Sequence, residues 1–221
     1  MPYKRRDFIK FSATIGAGLA VGKFAFGLSG CNSASVGSAG KDFGLQLYTL
    51  RDVIASDPEN ILTQIASFGY KQIESYDHEQ LGMFMGMKNT EFKKLMDDLD
   101  MKLISSHYGI DKDWEKGAAE AAAIGMEYLI VPWLGPQPSL DDYKKAAENF
   151  NRLGALCKKN GIRFAYHNHE YTFKQIDGQY PQDVLMQNTD KDLVDYQMDI
   201  FWVVTPGEDP SKWFDLSLIH I

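Results

Sequence analysis

The chain has 221 residues, a formal net charge of −7, 44% hydrophobic residues and two cysteines. Its acidic balance argues against nucleic acid as a partner, because phosphate binding needs clustered Lys and Arg. Cys31 lies at the end of an N-terminal leader and only Cys157 remains beyond it, which excludes an internally disulfide-stapled scaffold.

The leader comes first in chain order. Lys4-Arg5-Arg6-Asp7-Phe8-Ile9-Lys10 is a basic segment with paired arginines, followed by a weakly apolar, Gly/Ala-rich stretch over 11–27 and by Leu28-Ser29-Gly30-Cys31. Residues 1–31 therefore read as a twin-arginine signal joined to a lipoprotein cleavage box in which Cys31 is lipidated. The alternative is a transmembrane anchor, but Lys23 interrupts the run and its apolar part falls short of the roughly 20 residues a span needs. The expected location is the periplasm or the membrane surface, with membrane contact only through a lipid on Cys31. Gly16-Ala17-Gly18-Leu19-Ala20-Val21-Gly22 approaches a dinucleotide fingerprint but has no preceding strand and the wrong spacing, and is rejected. Residues 1–30 carry five basic and one acidic side chain, so removing that +4 from −7 leaves the mature part near −11. Residues 32–41 are a Ser/Gly-rich linker.

Short apolar strands then alternate with amphipathic helices. A strand over 43–48 precedes a helix with Asp57 as N-cap, Pro58 at its first position and Gly69 at its end. Strands follow over 70–75, 102–106, 127–131, 161–166 and 193–201. Between them, Asn89/Thr90, Asp113 and Ser139 cap helices, and a weaker helix falls near 181–187. The helix after Ser139 is long, with apolar positions Tyr143, Ala146, Ala147, Phe150, Leu153, Leu156 and Cys157, and it stops at Gly161. On that face Cys157 reads as a buried structural thiol.

The 25–36-residue period of the strand entries predicts βα units of a parallel sheet, either a closed (β/α)8 barrel or an open doubly wound sheet. Polar residues gather at the C-terminal end of strand after strand: Gln46, Glu74, His107, Trp133, His167, His169 and Asp199. An open sheet concentrates function at one switch point, whereas a barrel brings all its strand ends to one face. The pattern thus predicts a (β/α)8 TIM barrel over 42–215, incomplete because only about six units are present. Residues 216–221 do not continue the helix begun at Pro210 and read as a non-native tail, so the protein is expected to extend beyond Asp215 and His220 is set aside.

The densest chemistry lies in Ala165-Tyr166-His167-Asn168-His169-Glu170. Two imidazoles at i and i+2 on a strand share a side. An acid after Tyr196-Gln197-Met198 in a buried strand is costly unless paired, which marks Asp199. Each candidate has a structural alternative: the histidines as hydrogen-bonded strand-end residues, Asp199 as a loop cap, and Glu74 as the partner of Arg51 or a lysine. Trp133 and Trp202 are either core or an apolar wall for a sugar ring.

Gly44-Leu45-Gln46-Leu47-Tyr48-Thr49-Leu50-Arg51, Gly69-Tyr70-Lys71-Gln72-Ile73-Glu74, Ser105-Ser106-His107, Tyr166-His167-Asn168-His169-Glu170 and Met198-Asp199-Ile200-Phe201-Trp202 together resemble the xylose-isomerase-like sugar phosphate isomerase/epimerase family. That family shares a barrel superfamily with inosose dehydratase and endonuclease IV. The resemblance implies one divalent metal ion (Mn, Co, Mg or Zn type), held by Glu, Asp, His and Glu on strands five to eight. Asp199 matches the strand-six ligand, and His167 stands at the strand-five glutamate position, as in the dehydratase-like branch. Trp202 stands where many members carry a histidine. The implied activity is isomerisation or epimerisation of a sugar or keto-sugar by proton transfer through an enediolate. The site set is then Glu170, His107 and Glu74 for catalysis, His107, Trp133, His169 and Trp202 for substrate, and His167 and Asp199 for metal. The alternatives are a dehydratase or lyase on keto-sugars or inososes, and a non-catalytic carbohydrate-binding lipoprotein.

Overall fold

The computed structural model describes residues 44–214. The expected signal (1–31), linker (32–41) and non-native tail (216–221), with Cys31 and Asp215, lie outside the described residues. Six strands form one sheet in sequential order, β1 (Gly44–Gln46), β2 (Gln72–Tyr76), β3 (Lys102–His107), β4 (Tyr128–Val131), β5 (Arg163–His167) and β6 (Val194–Gln197), with every adjacent pair parallel. Among the described residues six α-helices follow the strands: α1 (Pro58–Ser67), α2 (Asn89–Asp98), α3 (Trp114–Ala123), α4 (Leu140–Lys159), α5 (Pro181–Gln187) and α6 (Ile200–Val204). This is the strand order and alternation of a partial (β/α)8 barrel.

One hydrogen bond demonstrates the barrel curvature. In a flat sheet β2 and β6 would stand four strand spacings apart, roughly 19 Å at about 4.8 Å each. Instead the Gln197 side-chain amide on β6 donates to the Glu74 carboxylate on β2 at 2.7 Å. The sheet therefore rolls until side chains from β2, β3, β5 and β6 meet inside it.

Outside the sheet, the helices cover its other face. The α4 residues Tyr143, Ala147, Phe150, Leu153 and Cys157 are buried as their spacing predicts, while Ala146 and Leu156 are partly buried at the margin of the same core. Phe150 stacks on Tyr166 of β5 with ring centroids 5.0 Å apart. Burial pushes the Cys157 thiol up to about 12, consistent with an inert structural cysteine. Asp57, Asp113 and Ser139 each cap a helix through the side chain.

Three local expectations are corrected. β1 ends at Gln46, because the Gln46 side chain accepts from the Tyr48 backbone N–H at 2.6 Å and turns the chain into a 3₁₀ helix, Leu47–Leu50. The N-cap of α2 is Lys88 and not Asn89 or Thr90: the Lys88 backbone N–H donates to the Glu91 carboxylate at 3.0 Å. β6 ends at Gln197 and does not continue through Phe201, because the Asp199 side chain accepts from the Phe201 N–H at 2.9 Å and starts α6.

Candidate active site

The polar interior is built around Glu74. This side chain is 4% exposed and accepts hydrogen bonds from Gln46 (2.7 Å), Ser105 (2.6 Å) and Gln197 (2.7 Å), with His107 Nε2 at 3.1 Å. Register supplies two of these partners, since Gln46 and Ser105 are the strand neighbours of Glu74. The ladder shifts by one residue between Ile73 and Glu74, which brings Ser105 opposite the carboxylate. Burial pushes the Glu74 carboxyl upward, but the facing His107 and the hydrogen bonds from His107, Ser105 and Gln197 outweigh it and hold the group down to about 2. The expected pairing of Glu74 with Arg51 or a lysine does not form. Arg51 lies over the Tyr48 ring instead, 4.9 Å from its centroid. A carboxylate so fully bonded is a weak base near neutral pH, so its position suits an anchor better than a proton carrier.

His107 is buried beside that anchor. Burial alone would lower its pKa, but the Glu74 charge and the hydrogen bonds to Glu74 and Gln197 raise it above the usual value. Its ring meets the His167 ring edge-on, with centroids 4.9 Å apart. His107 Nε2 and His167 Nδ1 both lie within hydrogen-bond reach of the Gln197 carbonyl oxygen, at 3.0 and 2.8 Å.

His167 and Asp199 come together as their strand positions suggest. His167 Nε2 stands 3.6 Å from Asp199 Oδ2, with the side chains 13% and 30% exposed. Burial, aided by the neighbouring His107, brings His167 down to about 3, so its imidazole is neutral near pH 7. A neutral imidazole and a carboxylate are a suitable donor pair for a borderline divalent cation. Two donors at about 2.1 Å from one metal ion stand roughly 3–3.5 Å apart, close to the spacing seen here. Among the described residues no group of three or more His, Cys, Asp or Glu forms a candidate metal cluster. The residues present fit as one half of a donor set.

The second imidazole faces an aromatic shelf. His169 is stacked with Tyr171 (6.0 Å) and with Trp202 (5.1 Å), and Trp133 meets it edge-on at 4.7 Å. Trp133 is 51% exposed, unusual for a tryptophan with so many ring neighbours. Burial lowers His169 to about 4, and its Nδ1 is buried without a hydrogen-bond partner. Glu170 opens a 3₁₀ helix, Glu170–Phe173, and pairs with Lys174 at 3.6 Å. Thus His107, His167 and Asp199 join the Glu74 cluster, Trp133, His169 and Trp202 form the shelf, and Glu170 sits on the loop beyond β5.

Two residues that sequence reasoning left without a role organise this arrangement. Gln197 links Glu74 to both His107 and His167. Asn168, fully buried, accepts from the Asp199 N–H and the Tyr196 hydroxyl, both at 2.8 Å, and donates to the Asp199 carbonyl at 3.1 Å. The period-2 alternation that puts His167 and His169 on one side puts Asn168 on the other, which was a readable sign of a structural amide.

Comparison with known proteins places the fold among solved structures. No family model matches the chain. A sugar phosphate isomerase/epimerase from Parabacteroides distasonis superposes with a TM-score of 0.74 at 29% identity, covering 85% of this chain and 75% of that one. Among more distant solved chains, which share the fold alone, are a xylose isomerase-like TIM barrel/4-hydroxyphenylpyruvate dioxygenase fusion protein (15% identity, TM-score 0.60, 79% of this chain and 30% of that one) and the IOLI protein with a zinc atom (12%, 0.58, 76% and 66%). The chain has a partial TIM-barrel fold, and sugar phosphate isomerases/epimerases and xylose isomerase-like TIM-barrel proteins are among its structural neighbours. In sequence, inosose dehydratase from Clostridium perfringens is 39% identical over 69 residues, 31% of this chain and 23% of that protein's length.

Proposed function

We propose that the protein is a metal-dependent isomerase or epimerase of a sugar or keto-sugar. The observation that carries this reading is the neutral His167 imidazole facing the Asp199 carboxylate across 3.6 Å, at the strand-end face of the barrel. His167 and Asp199 would hold the cation. When bound, a divalent cation supplies Lewis acidity that acidifies the proton next to a ketose carbonyl.

The chain's own residues do the rest. The shelf of Trp133, His169 and Trp202 binds one face of the sugar ring and excludes water from it. The buried, hydrogen-bonded His107 fixes a polar contact at the inner wall. Glu170, at the loop beyond β5, is the carboxylate available to move the proton, and the sugar passes through an enediolate. Delivering a proton to the neighbouring carbon gives the isomer, and delivering it to the opposite face of the original carbon gives the epimer.

A dehydratase is the second reading, favoured by the sequence match to inosose dehydratase and by His167 at the strand-five ligand position. In that case a β-hydroxyl leaves the enediolate and water is lost.

The test is metal analysis of the intact, full-length protein with and without Asp199→Ala, followed by incubation with keto-sugars in D2O. About one divalent ion per chain is expected, falling at least tenfold in the variant, as loss of a first ligand should cost no less than loss of a supporting contact. Stoichiometric metal that survives Asp199→Ala overturns the site. Deuterium entering the recovered sugar supports isomerase chemistry, loss of water supports dehydration, and binding without either leaves a carbohydrate-binding protein.

A further inference from the structure

We propose that Gln197 is a positioning residue that sets the tautomer of His167, with Glu74 fixing which way the Gln197 amide points. The inference deepens the metal reading above and rests on the same site. The amide nitrogen of Gln197 donates to Glu74 Oε2 at 2.7 Å, and its carbonyl oxygen lies 2.8 Å from His167 Nδ1 and 3.0 Å from His107 Nε2. The opposite flip would turn the amide oxygen toward an ionised carboxylate, placing acceptor against acceptor in a buried site. Ser105 and Gln46 already donate to Glu74, so the carboxylate remains an acceptor in this network.

A carbonyl oxygen only accepts. The hydrogen between Gln197 and His167 therefore sits on Nδ1 of the histidine. A neutral imidazole has a single N–H, so Nε2 is left with a lone pair, and it is Nε2 that faces Asp199 Oδ2. In the other tautomer Nε2 would carry hydrogen and hydrogen-bond Asp199 instead of offering a donor pair. Four strands contribute to this outcome: β2 fixes Gln197 through Glu74, β3 supplies the supporting Ser105 and His107, β6 carries Gln197, and β5 carries the histidine.

The experiment is long-range ¹H–¹⁵N NMR of the intact, metal-free protein with ¹⁵N-labelled histidine, which distinguishes a pyrrole-like from a pyridine-like nitrogen. Wild type should show His167 with Nδ1 protonated and Nε2 pyridine-like. In Gln197→Met, close in volume but with no amide, the population should shift toward the Nε2–H form. Zn²⁺ affinity by titration calorimetry should fall about 10- to 100-fold with Asp199 untouched. Glu74→Gln, which keeps the shape and removes the charge that orients the amide, should give a mixture of tautomers and serves if Gln197→Met fails to fold. An unchanged Nδ1–H population in the variant that folds overturns the proposal. A tautomer shift in a protein whose wild type binds no metal upholds the positioning role and overturns the metal reading instead.

Discussion

At the residue scale, the Glu74–His107 pair carries the largest electrostatic stake. Breaking a buried charge pair from one side leaves the other charge without compensation, at a cost of about 3–5 kcal/mol. Glu74→Gln in the intact protein is expected to lose stability of that order, read by urea unfolding at pH 5.5. The pH dependence follows from the two shifts. Glu74 is lowered from 4.5 to about 2, so its contribution is present above 4.5 and is lost as pH falls toward 2. His107 is raised from 6.5, so its contribution is present below 6.5 and is lost as pH climbs through its folded value. The gap between wild type and variant should be widest between about pH 4.5 and 6.5, and a gap independent of pH would refute the pairing. The pairing of the two histidines was legible through strand alternation. Asp199, marked in sequence as an acid in a buried strand, instead stands 30% exposed beyond the end of β6 and caps the following helix, as its structural alternative had it. Gln197 was not legible, since a glutamine in a strand acquires meaning only when β2 curls round to meet it.

At the element scale, α4 shows where local propensity misleads. Gly154 lies inside this helix, where alanine is favoured by about 1 kcal/mol on propensity alone. Yet an added Cβ would clash with the Leu193 carbonyl oxygen and stand 2.9 Å from both its carbonyl carbon and its Cβ. Backbone atoms cannot swing aside as a side-chain tip can, so Gly154→Ala is expected to destabilise by about 1–3 kcal/mol, measured by thermal or urea unfolding. A stabilised variant would show that α4 and the approach to β6 are looser than described. The apolar face of α4 and the caps at Asp57, Asp113 and Ser139 were legible, because spacing and capping are local rules. The ends of β1 and β6 were not, because the side chains of Gln46 and Asp199 capture nearby backbone N–H groups and end those strands early.

At the scale of the whole molecule, the period of the strand entries made the barrel architecture readable, and the contact between β2 and β6 supplied the curvature. Among the described residues β1 and β6 each have a single strand partner, leaving a row of backbone groups outside a strand ladder. Residues 42–221 expressed alone are therefore expected to self-associate with rising concentration, as sedimentation velocity would show. A cooperatively unfolding monomer at every concentration would contradict this. Asn168 adds a consequence of a different kind. Its single buried amide clasps the backbone of Asp199 and the hydroxyl of Tyr196, so the loop carrying Asp199 is locked only once β6 has docked against β5. His167 and Asp199, 32 positions apart in the chain, are then joined through the hydrogen bonds of the neighbouring Asn168. Capture of a cation by that pair would thus double as a reporter of folding, turning on when the last described strand closes.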